Sequence, residues 1–219
     1  MSVPSKQAQE VRTNSSNYGW FVMGFLWCLN LVVPLAAVSL GVMLPSMTEE
    51  LDISPLQAGM LGAVMFLGSA TVALPASIWL SRFSPKKITF LSMFLTGITL
   101  LFQGWAPTFT ILLAARFLMV INVASRMQAE VLLIHQWFTS RKIAVVISIS
   151  IGVMSIGQMA AVGLTPHLMI LLSGWRNIYF ALGTILLVGA FLWMGIGRER
   201  VQFPTPEVDP SQRRSPISV

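Results

Sequence analysis

The sequence predicts an all-α membrane protein with six transmembrane helices, and three observations lead there. Of 219 residues, 55% are hydrophobic and only 10% charged, with a mean hydropathy of +0.74. Soluble domains carry about 25% charged residues. Six apolar runs approach or exceed the roughly 20 residues a helix needs to cross a hydrocarbon core about 30 Å thick. Short basic turns alternate with an acidic or weakly charged side between those runs. The formal net charge of +6 does not indicate nucleic-acid binding. Lys and Arg fall mainly in turns and tails, where they face an anionic membrane surface.

Residues 1–18 are polar, with Lys6, Glu10 and Arg12, and read as a disordered cytoplasmic leader. The apolar run that follows is too long for a signal peptide and lacks a small-residue cleavage site. The helical bundle is expected over residues 19–197. Span 1 runs from about 20 to 44, interrupted by Asn30 and Pro34, and an acidic loop from Pro45 to Pro55 holds Glu49, Glu50 and Asp52. Span 2, about 56–80, repeats small residues at four-residue intervals (Ala58 and Gly62; Ser69, Ala73 and Ser77), which lets helix backbones approach closely. A basic turn, 81–87, leads into span 3, about 88–105. Ala106, Pro107 and Thr108 then turn the chain into span 4, 109–137. A second basic turn precedes span 5, about 143–172, where Gly152, Gly157, Gly163 and Pro166 predict close packing and a bend near the end. Span 6 covers about 178–196. The tail, 198–219, contains Pro, Glu and Arg and has the composition of a linker.

Orientation follows from the basic residues. Eleven of the fourteen Lys and Arg lie in one set of alternate loops and tails. Arg176 alone lies on the other side, with Glu49, Glu50 and Asp52, while Arg116 and Arg126 fall inside span 4. The positive-inside rule therefore predicts both termini in the cytoplasm. The bundle is expected in the cytoplasmic (inner) membrane. An even number of spans requires the two termini to share a side.

Span 4 stands out because it carries Arg116, Arg126 and Glu130. A charge at the bilayer centre costs about 2.5–3.5 kcal/mol on insertion scales and faces a partner or water. At about 100° per residue, Arg126 and Glu130 lie about 40° apart and Arg116 about 40° beyond Glu130. One narrow face thus holds all three, and it should look into protein or a wet cavity. The bland alternative is an i, i+4 pair that only neutralises itself. Apolar residues would have been cheaper there, which favours a functional role. Cys28 lies alone in an apolar run, and His135 and His167 are far apart without a second ligand, so no metal site is expected and no cofactor. Nor is an enzyme: the chain shows no nucleophile–base pair, phosphate loop or metal cluster.

The turn between spans 2 and 3 carries Ser77, Ser81, Arg82, Ser84, Lys86 and Lys87 at the spacing of Gly-x-x-x-Asp-Arg-x-Gly-x-[Arg/Lys]-[Arg/Lys]. Span 4 has Arg116, Val120 and Asn122 at the spacing of Arg-x-x-x-Gly-x-Gly. Trp137-Phe138 before Arg141, Gly174-Trp175-Arg176 before span 6, and Leu44-Pro45 followed by Leu51, Ser54, Gln57 and Gly59 complete an ordered set. With these five partial motifs, residues 17–200 resemble the N-terminal six-helix half of a major facilitator superfamily transporter. Arg82, Lys86 and Lys87 match the family pattern, whereas Ser81 replaces its acid.

The resemblance implies two three-helix repeats, with spans 1 and 4 lining a solute path and spans 2 and 5 facing a second half. Ser81, Arg82, Lys86, Lys87 and Arg116 then belong to gating motifs. Arg126, Glu130, Asn30 and, ranked below them, Gln128 become the candidate substrate-binding residues. A buried arginine offers a permanent charge on a planar donor fork suited to carboxylate or phosphate. The expected function is secondary active transport, symport or antiport, of a small organic anion. Glu130 serves either as a proton-titratable coupling group or as the counter-ion of the empty site. A cationic or amphipathic solute read by Glu130 is the alternative. Such transporters place the site between two six-helix halves. The expected partners are therefore the lipid bilayer, the solute, and a second six-helix half or a second copy in a homodimer. A truncated transporter fragment and a non-transporting membrane subunit or scaffold are the competing readings.

Overall fold

A computed structural model describes residues 6–73 and 83–197, with side chains from Tyr18 onward. Among the described residues every regular element is helical. We number them α1 (Lys6–Ala37), α2 (Leu40–Leu51), α3 (Pro55–Ala73), α4 (Pro85–Trp105), α5 (Phe109–Trp137), α6 (Ser140–Leu171) and α7 (Trp175–Ile196). They make 6 helices long and apolar enough to cross a membrane, with α1 from Tyr18 and α2 acting as one 34-residue span. At 1.5 Å per residue that span is about 50 Å long, well beyond a hydrocarbon core of about 30 Å.

The boundaries differ from expectation in ways that trace to proline. Pro45 does not open an acidic loop: it lies inside α2, and the helix carries Glu49 and Glu50 on its last turns. Pro34 likewise lies inside α1. Membrane helices accept proline when neighbouring groups satisfy the freed carbonyls. Span 1 breaks instead at Val38 and Ser39, between the two prolines. Helix α1 also begins at Lys6, so its backbone is helical within the stretch read as a disordered leader. Asp52 ends α2 in the left-handed region at φ 51° and ψ 49°, a conformation that Asp tolerates better than most residues. Helix α4 starts at Pro85 rather than near residue 88, because the Ser84 side chain accepts a hydrogen bond from the Lys87 amide and Pro85 occupies the first turn. Span 4 keeps both expected ends. The end of span 2 and the tail from residue 198 lie outside the described residues.

Helix packing exchanges partners between the first three spans and the last three. Span 1 packs along span 5, span 4 packs on span 2, and span 3 sits against both span 4 and span 6. Missing side chains set several of these contacts. A Cβ on Gly183 would fall 2.9 Å from the Gly97 carbonyl, and one on Gly157 2.9 Å from the Asn30 carbonyl. Helices α3 and α6 therefore flank a seam where α1 meets α5, and they do not pack as a pair with each other. Their outer faces carry exposed apolar side chains such as Phe66, 80% exposed, and Met159, 72% exposed.

Candidate functional site

The α1–α5 seam holds a three-residue polar network. Arg126 and Glu130 are one turn apart on α5, so their side chains rise on one face, and Asn30 comes across from α1. Arg126 Nη1 lies 3.3 Å from Glu130 Oε2, and Arg126 Nη2 donates to Asn30 Oδ1 at 2.6 Å. Asn30 Nδ2 donates to Glu130 Oε1 and Oε2, each at 3.1 Å. All three residues are buried, at 3%, 6% and 5% exposure for Arg126, Glu130 and Asn30. Burial at this depth demands that charges be paired and hydrogen-bonded, and the triangle meets most of that demand. Arg126 Nε remains: it is buried and has no hydrogen-bond partner. Chemically this is a planar cation with one of its three nitrogens unpartnered, held by a carboxylate that could exchange with another anion.

The other sequence-derived candidates sit elsewhere. Gln128 is exposed and turned about 200° from Arg126 around the helix, so it does not join the network. Arg116 is buried further along α5, where Nε donates to the Leu61 carbonyl at 3.2 Å and Nη2 to the Ala37 carbonyl at 2.8 Å. It thus ties spans 1, 2 and 4, away from the Asn30 triangle. Lys86 and Lys87 occupy the first turn of α4, where the Lys86 carbonyl accepts from Trp193 Nε1 at 3.1 Å. Ser81 and Arg82 lie outside the described residues. His135 Nδ1 lies 2.8 Å from the Val131 carbonyl of its own helix.

Three arrangements went unread in the sequence. Trp27 Nε1 donates to Ser150 Oγ at 2.7 Å, a polar bridge from α1 to α6. Glu50 at the end of α2 accepts from Trp175 Nε1 and Arg176 Nε, each at 2.6 Å. Arg176 also donates to the carbonyls of Gly104 and Ala106 at 3.0 and 2.8 Å, so one side chain joins three helix ends. Finally, Thr89, Ser92, Thr96, Thr99 and Gln103 form a buried polar stripe on α4. Their alternating spacing of three and four was visible in the sequence and marks one helix face.

Comparison with known proteins agrees with this architecture. The Major Facilitator Superfamily profile matches residues 26–218. The probable L-galactonate transporter of Escherichia coli (strain K12) is 26% identical over 191 residues, covering 82% of this chain and 41% of that protein. The probable galactarate/D-glucarate transporter GudP of the same organism is 23% identical over 167 residues, covering 72% of this chain and 36% of that protein. The chain thus spans about two fifths of the length of these curated relatives. A bacterial homolog of the human lysosomal transporter Spinster, in an inward-facing and occupied conformation, superposes with a TM-score of 0.73 at 21% identity. That match covers 83% of this chain and 45% of the other. With six membrane-crossing helices, partner exchange between two sets of three spans, and a profile match over most of its length, this integral membrane protein belongs to the Major Facilitator Superfamily.

Proposed function

We propose that this chain is one six-helix half of a secondary transporter for a small organic anion, and that Arg126 recognises the anion. The observation that supports it most is the Arg126 guanidinium in the α1–α5 seam, bound by Glu130 and Asn30 while its buried Nε stays unpartnered. In this reading Glu130 and Asn30 hold the cation while the site is empty, and a substrate carboxylate takes over part of the fork. Two relatives named as transporters of sugar-acid anions, L-galactonate and galactarate/D-glucarate, fit that choice of charge. The apolar outer faces of α3 and α6 supply surfaces for the second half. Symport or antiport with protons then runs through Glu130, the carboxylate in direct contact with Arg126.

A specific observation supports a second reading. The triangle is closed and almost fully buried, which suits a structural tie between α1 and α5. The two readings separate in Arg126→Leu, Glu130→Leu and the double variant, each in the chain joined to a compatible second half. Breaking one buried pair costs about 3–5 kcal/mol in soluble proteins, whereas an apolar double replacement is often neutral. Both readings therefore expect the double variant to reach the membrane better than either single. Anion recognition further expects it to have lost uptake and binding of a sugar-acid probe such as galactonate. Normal expression with normal uptake would leave the pair a tie and end the anion reading.

A further inference from the structure

We propose that Asn122, Ser125 and Gln128 on α5 read the hydroxyl groups of the solute, which is then a polyhydroxylated carboxylate. This rests on the anion reading and concerns the part of the solute that Arg126 does not hold. At about 100° per residue the three lie about 40°, 100° and 160° around the helix from Arg126, on the side away from Glu130. From first to last they cover about 9 Å of helix rise, on both sides of Val123, the middle residue of α5. Helices α3 and α4 provide the main packing of α5, and Arg126 and Glu130 turn towards α1, so the strip runs along the open side. Asn122 and Ser125 are half-buried there, and Gln128 is exposed.

Amides at mid-depth of a membrane helix are costly against lipid, so an open face that carries them looks into water or onto a ligand. Their free hydrogen-bonding capacity is specific. Asn122 Nδ2 donates to the Leu118 carbonyl at 2.9 Å, and Ser125 Oγ donates to the Ile121 carbonyl at 2.8 Å. These bonds occupy the Ser125 proton and one Asn122 amino hydrogen, leaving Asn122 Oδ1 and the Ser125 lone pairs as acceptors. Gln128 makes no side-chain hydrogen bond among the described residues and offers both ends of its amide. An acceptor-rich strip beside a cation fits a solute with O–H donors along its length and a carboxylate at one end. An ammonium group would also donate, but the Arg126 charge repels it. Asn122 stands where the Arg-x-x-x-Gly-x-Gly spacing from Arg116 has its second glycine, so this amide is a feature of the present chain.

One helix then divides the solute between two groups of side chains. Arg126 takes the carboxylate, and the strip takes the hydroxyls. Sites built to hydrogen-bond a hydroxyl discriminate against an analogue that lacks it, because their own polar groups are left unpaired. Charge decides that an acid enters, and the strip decides which acid.

Uptake by the chain joined to a compatible second half tests this, with galactarate and with adipate, the diacid of equal length without hydroxyls. Asn122→Ala and Gln128→Ala should each lower the ratio of galactarate to adipate uptake about twofold to tenfold. An unchanged ratio in both variants would overturn the reading of hydroxyls. The anion reading fails on a different variant, through normal uptake in Arg126→Leu/Glu130→Leu. A second measurement needs no uptake. In a Cys28→Ser background, a cysteine in place of Gln128 should react with a hydrophilic thiol reagent and be protected by galactarate. One in place of Phe66, on the apolar outer face of α3, should not react. An unreactive thiol at position 128 would place the strip against lipid or protein and overturn the proposal, and a reactive thiol that galactarate leaves unprotected would do so too.

Discussion

At the scale of single residues, Asn30 controls the seam network because its amide serves both charged partners. Its Nδ2 donates to both Glu130 oxygens while its Oδ1 accepts from Arg126. Removing one member of a buried network leaves the other groups desolvated and unpaired, at about 1–3 kcal/mol per group. Asn30→Ala should therefore lower stability by about 1–3 kcal/mol, measured as the shift of thermal unfolding in detergent. Gln128→Ala, on an exposed position of the same helix, should stay within about 0.5 kcal/mol of the parent. Equal effects at the two positions would mean that the Asn30 bonds contribute nothing net.

At the scale of helices, close approach depends on glycine. Helices α4 and α7 meet where a Cβ on Gly183 would lie 2.9 Å from the Gly97 carbonyl and 2.9 Å from Leu101 Cδ2. The carbonyl is backbone, so the helices must part to admit even a methyl group. Gly183→Ala should destabilise the bundle by about 1–3 kcal/mol, the usual range for overpacking a tight core. Gly152 on α6 has nothing within 4 Å of such a Cβ. Gly152→Ala should thus be neutral or stabilising, since alanine is better in a helix by about 1 kcal/mol. A thermal-shift series on the two variants checks the contrast, and a reversed order would mean the α4–α7 contact is looser than this geometry.

At the scale of the whole molecule, the charge distribution predicts which side each turn faces. A cysteine in place of Glu49, in a Cys28→Ser background, should react with an impermeant thiol reagent added outside the cell. One in place of Lys86 should react only after the membrane is opened. The reverse labelling pattern would overturn the cytoplasmic placement of the termini. The flanks α3 and α6 expose large apolar side chains, among them Leu56 at 75% and Ile170 at 82%. Lipid or a second six-helix half can cover those faces. Saturable solute uptake by a purified monomer of this chain alone would remove the need for a second half. Native mass measurement of the uptake-competent species identifies what is present.

Span number, the limits of span 4 and the face shared by Arg116, Arg126 and Glu130 were all legible in the chain. Hydropathy over about 20 residues and a 100° advance per residue are local properties that need no knowledge of packing. The composition likewise sufficed to choose the bilayer as solvent. The place where span 1 breaks was not legible, because proline was the local signal and the helix passes through both Pro34 and Pro45. The break falls between them, where the Ser39 hydroxyl, the Ala37 carbonyl and Arg116, seventy-nine residues away, meet. The partners of the charges were decided in the same way. Glu130 as neighbour of Arg126 follows from helical spacing, but Asn30 reaches both from 96 and 100 residues away. Glu50, Trp175 and Arg176 meet only once α2 and α7 are side by side. Such contacts arise where one helix comes to rest against another, and that placement depends on close packing across the whole bundle.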